Sequence, residues 1–170
     1  ATLTLAGSAA RTVTGLRGDL AASGVSGALN VTTVAVASGL SVVAGSGPNT
    51  ITATALTAGQ ALTLTGSSAA TVALNAGNLS AGAYTGNLTV TGGVGANTIT
   101  AGSGTNTITG GGGADILTGG TGSDTFNFAS AANLAAATTI AGGAGSDTIQ
   151  MTTAATLTDA GFLNASSVET

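Results

Sequence analysis

The sequence predicts an all-β fold, a right-handed parallel β-solenoid with irregular coils, because two different repeats run through it. Nine-residue units follow one another without a gap over residues 92–127, with further copies at 142–150 and 44–52. A longer repeat aligns residues 3–31 with residues 62–90 at a constant offset of 59, with 14 of 29 positions identical. The composition agrees, since 32 Thr and 29 Gly residues favour short strands separated by tight turns.

The nine-residue unit, or nonad, has the pattern Gly-Gly-x-Gly-x-(Asp or Asn)-x-apolar-x, which divides into a turn and a strand. Its glycines permit backbone angles that other residues avoid, so the first six residues can turn tightly. The next three residues can form a short strand with one inward apolar side chain, and stacked units would share a core that no single unit could form. The inward positions are Ile51, Ile99, Ile108, Leu117, Phe126 and Ile149.

The chain is expected to form a single domain with three parts. Residues 1–91 would be irregular coils that contain the 59-residue repeat, and residues 92–127 would be the block of nonads. Residues 128–170 would be further coils with one nonad at 142–150. No change of composition marks a linker between these parts, so we do not divide the domain.

Two short segments interrupt the strand pattern and predict local helix. Residues 130–137, SAANLAAA, would form a short helix with Ser130 as its N-cap. Residues 158–164, TDAGFLN, would form one helical turn capped by Asp159.

The composition excludes several classes of function. The chain has no His, Cys, Lys or Trp, and its formal net charge is −4. It therefore lacks a thiol nucleophile, an imidazole base and a lysine for Schiff-base chemistry, and we expect no enzymatic activity. Arg11 and Arg17 are the only basic residues, which disfavours nucleic acid as a partner. The apolar runs are too short for a transmembrane helix, so no membrane insertion is expected.

The nonads resemble those of the RTX family of secreted bacterial proteins, in which such repeats form a calcium-bound parallel β-roll. The resemblance implies that Asp carboxylates and the carbonyls of the glycine turns hold Ca²⁺ between stacked turns, because calcium prefers oxygen ligands. An Asp in such a turn could instead form only an Asx-turn hydrogen bond. The residues that match the motif as metal ligands are Asp115, Asp124, Asp147, Gly110, Gly112, Gly113, Gly119 and Gly122, with Asn97 and Asn106 where Asn replaces Asp.

Two nonads would complete one coil, so residues 18 apart would stack on the same edge. Asp115 would then lie near Asn97, and Asp124 near Asn106, with no second Asp next to either. We expect the best calcium site within 110–127, formed by Asp115 and Asp124, and a separate site at Asp147. Binding would be weak, because each site has about one carboxylate and calcium affinity falls with ligand charge. Asn97 and Asn106 would either lend an amide oxygen or form a metal-free ladder.

These features favour an extracellular structural protein of the bacterial cell surface that self-assembles, such as an S-layer, sheath or filament subunit. The remainder of the chain looks like the solenoid regions of bacterial S-layer proteins and large RTX adhesins. Few charged residues are available to block the sheet edges, so the expected partner is the protein itself, in a homo-oligomer, lattice or fibre. The alternatives are an extender module of an RTX adhesin and a calcium-binding secretion tail of a type I exported protein.

Ice binding is a further alternative, because flat ranks of Thr on a solenoid can contact ice. Thr-Ile-Thr segments at 98–100 and 107–109 have this character. Consecutive nonads would fall on opposite sheets, however, and the rank would end at Ile116, which disfavours this function.

The two ends of the sequence suggest a continuing array. If Thr170 is overlaid on Thr2, the next residues read Leu-Thr-Leu and continue a strand across the join. We therefore expect this chain to be one period of a longer array, or a piece cut from one.

Overall fold

Residues 1–168, which the computed structural model describes, form a parallel β-solenoid of about eight turns. Strands alternate between two sheets, so each coil contributes one strand to each sheet. The predicted all-β solenoid fold is therefore confirmed. Glu169 and Thr170 lie outside the described residues, and so does the overlay of Thr170 on Thr2.

The strands are short and follow one another at regular intervals. In chain order they are β1 (Thr2–Gly7), β2 (Arg11–Leu16), β3 (Asp19–Val25), β4 (Leu29–Thr33), β5 (Leu40–Val43), β6 (Asn49–Thr52), β7 (Ala61–Thr65), β8 (Ala70–Ala73), β9 (Asn78–Ser80), β10 (Leu88–Thr91), β11 (Thr98–Thr100), β12 (Thr107–Thr109), β13 (Ile116–Gly120), β14 (Thr125–Phe128), β15 (Thr139–Gly143), β16 (Thr148–Met151) and β17 (Ala165–Ser166). Within residues 1–168 the odd-numbered strands form sheet A and the even-numbered strands form sheet B, each in chain order.

The core consists of two columns of inward apolar side chains, one on each sheet. Because side chains alternate along a strand, a column continues only while the register between neighbouring strands holds. The column of sheet B is Val13, Val31, Ile51, Val72, Val90, Ile108, Phe126 and Ile149. The column of sheet A includes Leu40, Leu62, Leu79, Ile99, Leu117 and Ile140. Every inward position predicted from the nonads lies in one of these columns.

The longer repeat corresponds to three coils. On sheet B the register runs from Val13 on β2 to Val72 on β8, which is the predicted offset. On sheet A the register leads over three coils from Leu3 to Leu64 instead of Leu62, so the two copies are displaced there by two positions. A displacement of two keeps each side chain on the same face of the sheet, so the core stays apolar.

Coil length changes after the consecutive nonads. Ile108 pairs with Phe126 in the next coil, as two nonads per coil predict. Phe126 pairs with Ile149 across a longer coil, because the helix α1 (Ala131–Ala136) is inserted in the intervening turn. The Ser130 side chain accepts a hydrogen bond from the Asn133 N–H at 3.1 Å, so the predicted N-cap is confirmed.

The second predicted helical turn is a 3-10 helix, Asp159–Phe162, and its cap was assigned to the wrong residue. Thr158 is the N-cap, in an extended conformation, and Asp159 is the first residue of the helix. Among residues 1–168, no helix is both long and apolar enough to cross a membrane.

Candidate metal centre

The acidic residues of the nonads lie on two opposite edges of the solenoid. We call the turns that lead into sheet A edge A, and those that lead into sheet B edge B. Asp115 precedes β13 and lies on edge A, whereas Asp124 and Asp147 precede β14 and β16 and lie on edge B. A nonad is half a coil, so consecutive nonads alternate between edges. The predicted shared site of Asp115 and Asp124 is therefore wrong.

On edge B, the backbone and the Asn and Asp side chains form a hydrogen-bonded ladder. The Leu88 N–H donates to Oδ1 of Asn106 at 3.0 Å, and the Asn106 N–H donates to Oδ1 of Asp124 at 2.8 Å. The Asp124 N–H donates in turn to Oδ1 of Asp147 at 2.8 Å. Asp147, which the sequence placed in a separate site, is thus the direct neighbour of Asp124, because the coil closes in register despite its inserted helix.

Edge A contains a shorter ladder with one carboxylate. The Asn97 N–H donates to Oδ1 of Asp115 at 2.9 Å, as their predicted stacking requires. On the other side of Asp115 lies Thr138, whose hydroxyl donates to the Asp115 carbonyl at 3.0 Å. The Asn97 amide donates to the Gly77 carbonyl at 2.6 Å, and its Oδ1 accepts the Gly93 N–H at 3.1 Å.

We call the position two residues before the inward apolar residue the ladder position. An Asn at this position finds hydrogen-bond partners within the protein. Nδ2 of Asn49 donates to the Gly47 carbonyl at 2.9 Å, and Nδ2 of Asn106 donates to the Gly104 carbonyl at 2.8 Å. In both turns the acceptor is the carbonyl two residues earlier. Oδ1 of each Asn accepts a backbone N–H group as well. Each of these amides therefore donates and accepts hydrogen bonds within the protein, as a metal-free ladder requires.

Aspartate cannot reproduce this pattern, because an ionised carboxylate has no hydrogen to donate. Asp115 and Asp124 are each 1% exposed, and Oδ2 of each has no hydrogen-bond partner among the described residues. The carbonyls two residues earlier are those of Gly113 and Gly122. An oxygen therefore replaces the donor that Asn provides. Either a proton on the carboxylate or a cation bound between the carboxylate and the carbonyls would satisfy these oxygens.

Two glycines approach these carboxylates closely. A Cβ on Gly110 would lie 2.5 Å from Oδ2 of Asp115, and a Cβ on Gly119 would meet Oδ2 of Asp124. Any other residue at Gly110 would force the carboxylate to shift, and at Gly119 it would also meet the Gly142 carbonyl. The predicted turn ligands are distributed between the two edges: Gly110, Gly112 and Gly113 precede Asp115, and Gly119 and Gly122 precede Asp124.

The electrostatic environment disfavours the ionised carboxylates. Burial raises the pKa of Asp115 and of Asp124 above the usual Asp value, although hydrogen bonds from the neighbouring Asn residues partly oppose this. The charge of Asp147 raises the pKa of Asp124 further. Arg11 and Arg17 are the only basic side chains of the chain, and they lie on or next to β2. Six strand spacings, about 29 Å, separate β2 from β14, so the arginines do not neutralise this charge.

The fold and the ladder together define a parallel β-solenoid in which buried acidic turns stack on one another. Residues 91–126 and 135–150 match the family model of the RTX calcium-binding nonapeptide repeat (4 copies). The chain therefore contains RTX-type calcium-binding nonapeptide repeats. Residues 1–90 lie outside the match although they continue the same solenoid. No curated protein and no solved structure gives a significant match to the chain.

The residues of edge B fit a calcium ion better than those of edge A. Calcium takes six to eight oxygen ligands and binds more tightly as the number of carboxylates rises. Asp124 and Asp147 provide two stacked carboxylates, whereas Asp115 provides one. Turn carbonyls such as that of Gly122 would supply further oxygens.

The stacking of Asp124 with Asp147 was missed from the sequence, although one signal was available. The two residues have a sequence separation of 23, against 18 between Asn106 and Asp124, and a short inserted segment accounts for the difference. Recognising that the predicted helix near Ser130 lies wholly within one turn would have placed both acids on edge B.

Proposed function

We propose that the chain is a calcium-stabilised structural solenoid that serves as a building unit outside the bacterial cell. The observation that carries this proposal is the pair of neighbouring buried carboxylates, Asp124 and Asp147, in a chain without Lys or His. In the absence of calcium their mutual repulsion and burial destabilise the last coils. RTX repeat proteins are in general secreted by bacteria, and extracellular calcium would neutralise these groups and stabilise the fold by mass action.

Thermal unfolding with calcium and with chelator tests the calcium-dependent part. At a calcium concentration of about 100 times the Kd, the parent should gain about 2.7 kcal/mol in the free energy of unfolding. The double variant Asp124→Asn/Asp147→Asn should lose most of this response. Asp19→Asn is the matched control, because Asp19 is exposed and lies in β3, outside the nonads. A double variant that responds to calcium as strongly as the parent would contradict the proposal.

Self-assembly is the second part of the proposal, and the first coil supports it. β1 and β2 are the outermost strands of their sheets, so each has one side without a partner strand. Between them lies a cavity of about 410 Å³ lined in part by Leu3, Val13 and Leu16. The Leu3 side chain is 43% exposed. β1 has no charged residue and β2 has one, Arg11. This unpaired edge can pair with strands of a second copy, which would extend the solenoid into a fibre or a lattice.

Sedimentation and negative-stain images over a range of protein concentrations, with calcium present, test the assembly. The parent should form oligomers or ordered arrays as its concentration rises. Leu3→Lys should shift the distribution toward monomer, because a charge on an edge strand opposes pairing. Ser103→Lys, in an exposed turn, should behave like the parent. A parent that stays monomeric throughout would refute self-assembly and leave the calcium proposal untouched.

A further inference from the structure

The outer face of sheet B carries threonine in two straight ranks. Rank 1 runs from Thr12 on β2 to Thr148 on β16, with Thr at every strand except β4, where Asn30 stands. Rank 2 lies two residues further along each strand and begins at Thr14. It has Thr at every strand except β8, where Ala73 stands, and the last two strands, β14 and β16. The two ranks flank the inward apolar column.

The hydroxyl groups of these ranks are not engaged by the protein. Within residues 1–168, no hydrogen bond uses a threonine hydroxyl of either rank. Neither rank contains a charged residue. Because Thr is β-branched, its χ1 angle is restricted, so little rotamer entropy is lost when the hydroxyls take one orientation along a rank. The face is thus a rigid, neutral array of unused hydroxyls.

Sheet A provides an internal comparison, and its outer face is different. The row before its inward column has Ala61, Asn78, Thr98, Ile116 and Thr139, so its threonines are interrupted. The row after the column mixes serine and threonine and ends at alanine: Ser41, Thr63, Ser80, Thr100, Thr118 and Ala141. The β-propensity of Thr acts equally on both sheets, so it does not explain why Thr is concentrated on sheet B. Ile116 interrupts a rank on sheet A alone. On sheet B the rank continues, because the irregular coils upstream of the nonads also contribute Thr to it.

We propose that the outer face of sheet B binds ice. Its hydroxyls repeat at about 4.8 Å from strand to strand and at about 6.7 Å along each strand, which are spacings comparable to those of water oxygens on an ice surface. Rank 1 extends over seven strand spacings, about 33 Å, so many contacts form at once. The solenoid preorganises these hydroxyl groups before binding, which lowers the entropy cost of ordering water against them. The absence of charge matters because charged groups would hold a differently oriented hydration layer.

This inference goes beyond the proposed function and does not depend on it. Strands β4, β8 and β10 contribute threonines to the ranks (Thr32, Thr71, Thr89 and Thr91), and no nonad Asp precedes these strands. On edge B, however, Asn106, Asp124 and Asp147 directly precede rank residues in β12, β14 and β16. Calcium would therefore order the later part of the face, while the earlier part remains in register without it.

The test uses the whole chain in a buffer that contains calcium. It measures thermal hysteresis, the shaping of ice crystals, and the partition of the labelled protein into a growing ice front. The parent should be active in all three. The double variant Thr71→Tyr/Thr89→Tyr, at the centre of rank 1, should lower hysteresis at least about tenfold, because central contacts dominate binding between rigid surfaces. Thr63→Tyr/Thr98→Tyr is the control on sheet A, since both side chains are also exposed, and it should keep the parent's activity.

Several outcomes would overturn the proposal. One is a parent that neither shapes ice nor enters it, and another is an equal loss of activity in both double variants. A third is a parent that associates face to face and is inactive toward ice, with Thr71→Tyr/Thr89→Tyr abolishing that association, which would make a second copy the occupant. Circular dichroism of each variant checks whether the solenoid is intact. Calcium binding by the parent, measured in the same preparations, separates failure of this proposal from failure of the calcium site.

Discussion

The upper coils, residues 1–91, and the nonad coils, residues 92–151, share one backbone architecture but fill their turns in different ways. Both regions continue the same two sheets and the same inward columns. At the ladder position of edge B, two residues before the inward column, the upper coils have Arg11 on the end strand, followed by Leu29, Asn49, Ala70 and Leu88, whereas the nonad coils have Asn106, Asp124 and Asp147. Arg11 is half-buried, and the other side chains are buried.

The comparison shows that the coil geometry does not depend on one way of filling the turn. An apolar side chain or a self-satisfied Asn needs no other group, whereas a buried Asp needs a cation or a proton. The upper coils should therefore be stable without metal, and the nonad coils that contain Asp should depend on it. Tyr84 lies near the boundary on edge B, where its buried ring packs against Gly66 and its hydroxyl donates to the Ser68 carbonyl at 2.6 Å.

The largest effect is expected when an acid of the nonad type is placed in the upper coils. Leu88→Asp should destabilise the protein by about 3–5 kcal/mol, because it buries a charge without a partner. Leu88→Asn should cost less, since an amide could donate to the carbonyl two residues earlier, as in Asn106. Urea unfolding measures both. Equal losses for the two variants would mean that charge is not what distinguishes the regions.

The converse change should remove the calcium requirement of the nonad coils. In chelator, Asp124→Asn/Asp147→Asn should be more stable than the parent by about 1–3 kcal/mol, because amides satisfy the turn and remove two buried charges. In excess calcium the order should reverse. Hydrogen exchange should locate the difference in β14 and β16 and leave β4 to β8 unchanged. A variant less stable than the parent under both conditions would contradict this account.

Protonation should partly replace calcium. The pKa values of Asp115 and Asp124 are raised in the folded state, so the folded protein binds protons more readily than the unfolded chain. In chelator, stability should therefore be highest below the usual Asp pKa, about 4, and should fall as the pH rises through the raised values. Calcium should remove this dependence, because it stabilises the ionised form. Thermal unfolding between about pH 3 and pH 7 measures the trend, and a metal-free protein that becomes more stable toward neutral pH would overturn it.

The smallest effect is expected at the inserted helix. Ser130→Ala removes the side chain that accepts the Asn133 N–H, which should cost about 1 kcal/mol. Calcium binding should change little, because α1 lies in a turn of edge A whereas Asp124 and Asp147 lie on edge B. Thermal unfolding and a calcium titration of the same variant check both statements. A large loss of calcium affinity would show that α1 sets the register of the acids.

Local patterns in the sequence were sufficient for the solenoid and for most of its core. The nonad spacing predicted that two nonads complete a coil, and it predicted the inward positions from Ile51 to Ile149, because the side-chain period of a strand leaves one apolar residue per nonad facing inward. The cap at Ser130 was equally visible, since capping depends on residues three apart. The contact of Asp115 with Asn97 followed from the same spacing.

What the tertiary structure decided is which distant residues share an edge or a face. Asp124 meets Asp147 only because the inserted helix is contained in one turn and the next coil returns to register, and no local pattern encodes that closure. The threonines of sheet B form continuous ranks only because irregular coils of different lengths place Thr at the same position on successive strands. Spacing along the chain fixes orientation within one strand, whereas register between strands is set by how whole coils pack around the apolar columns.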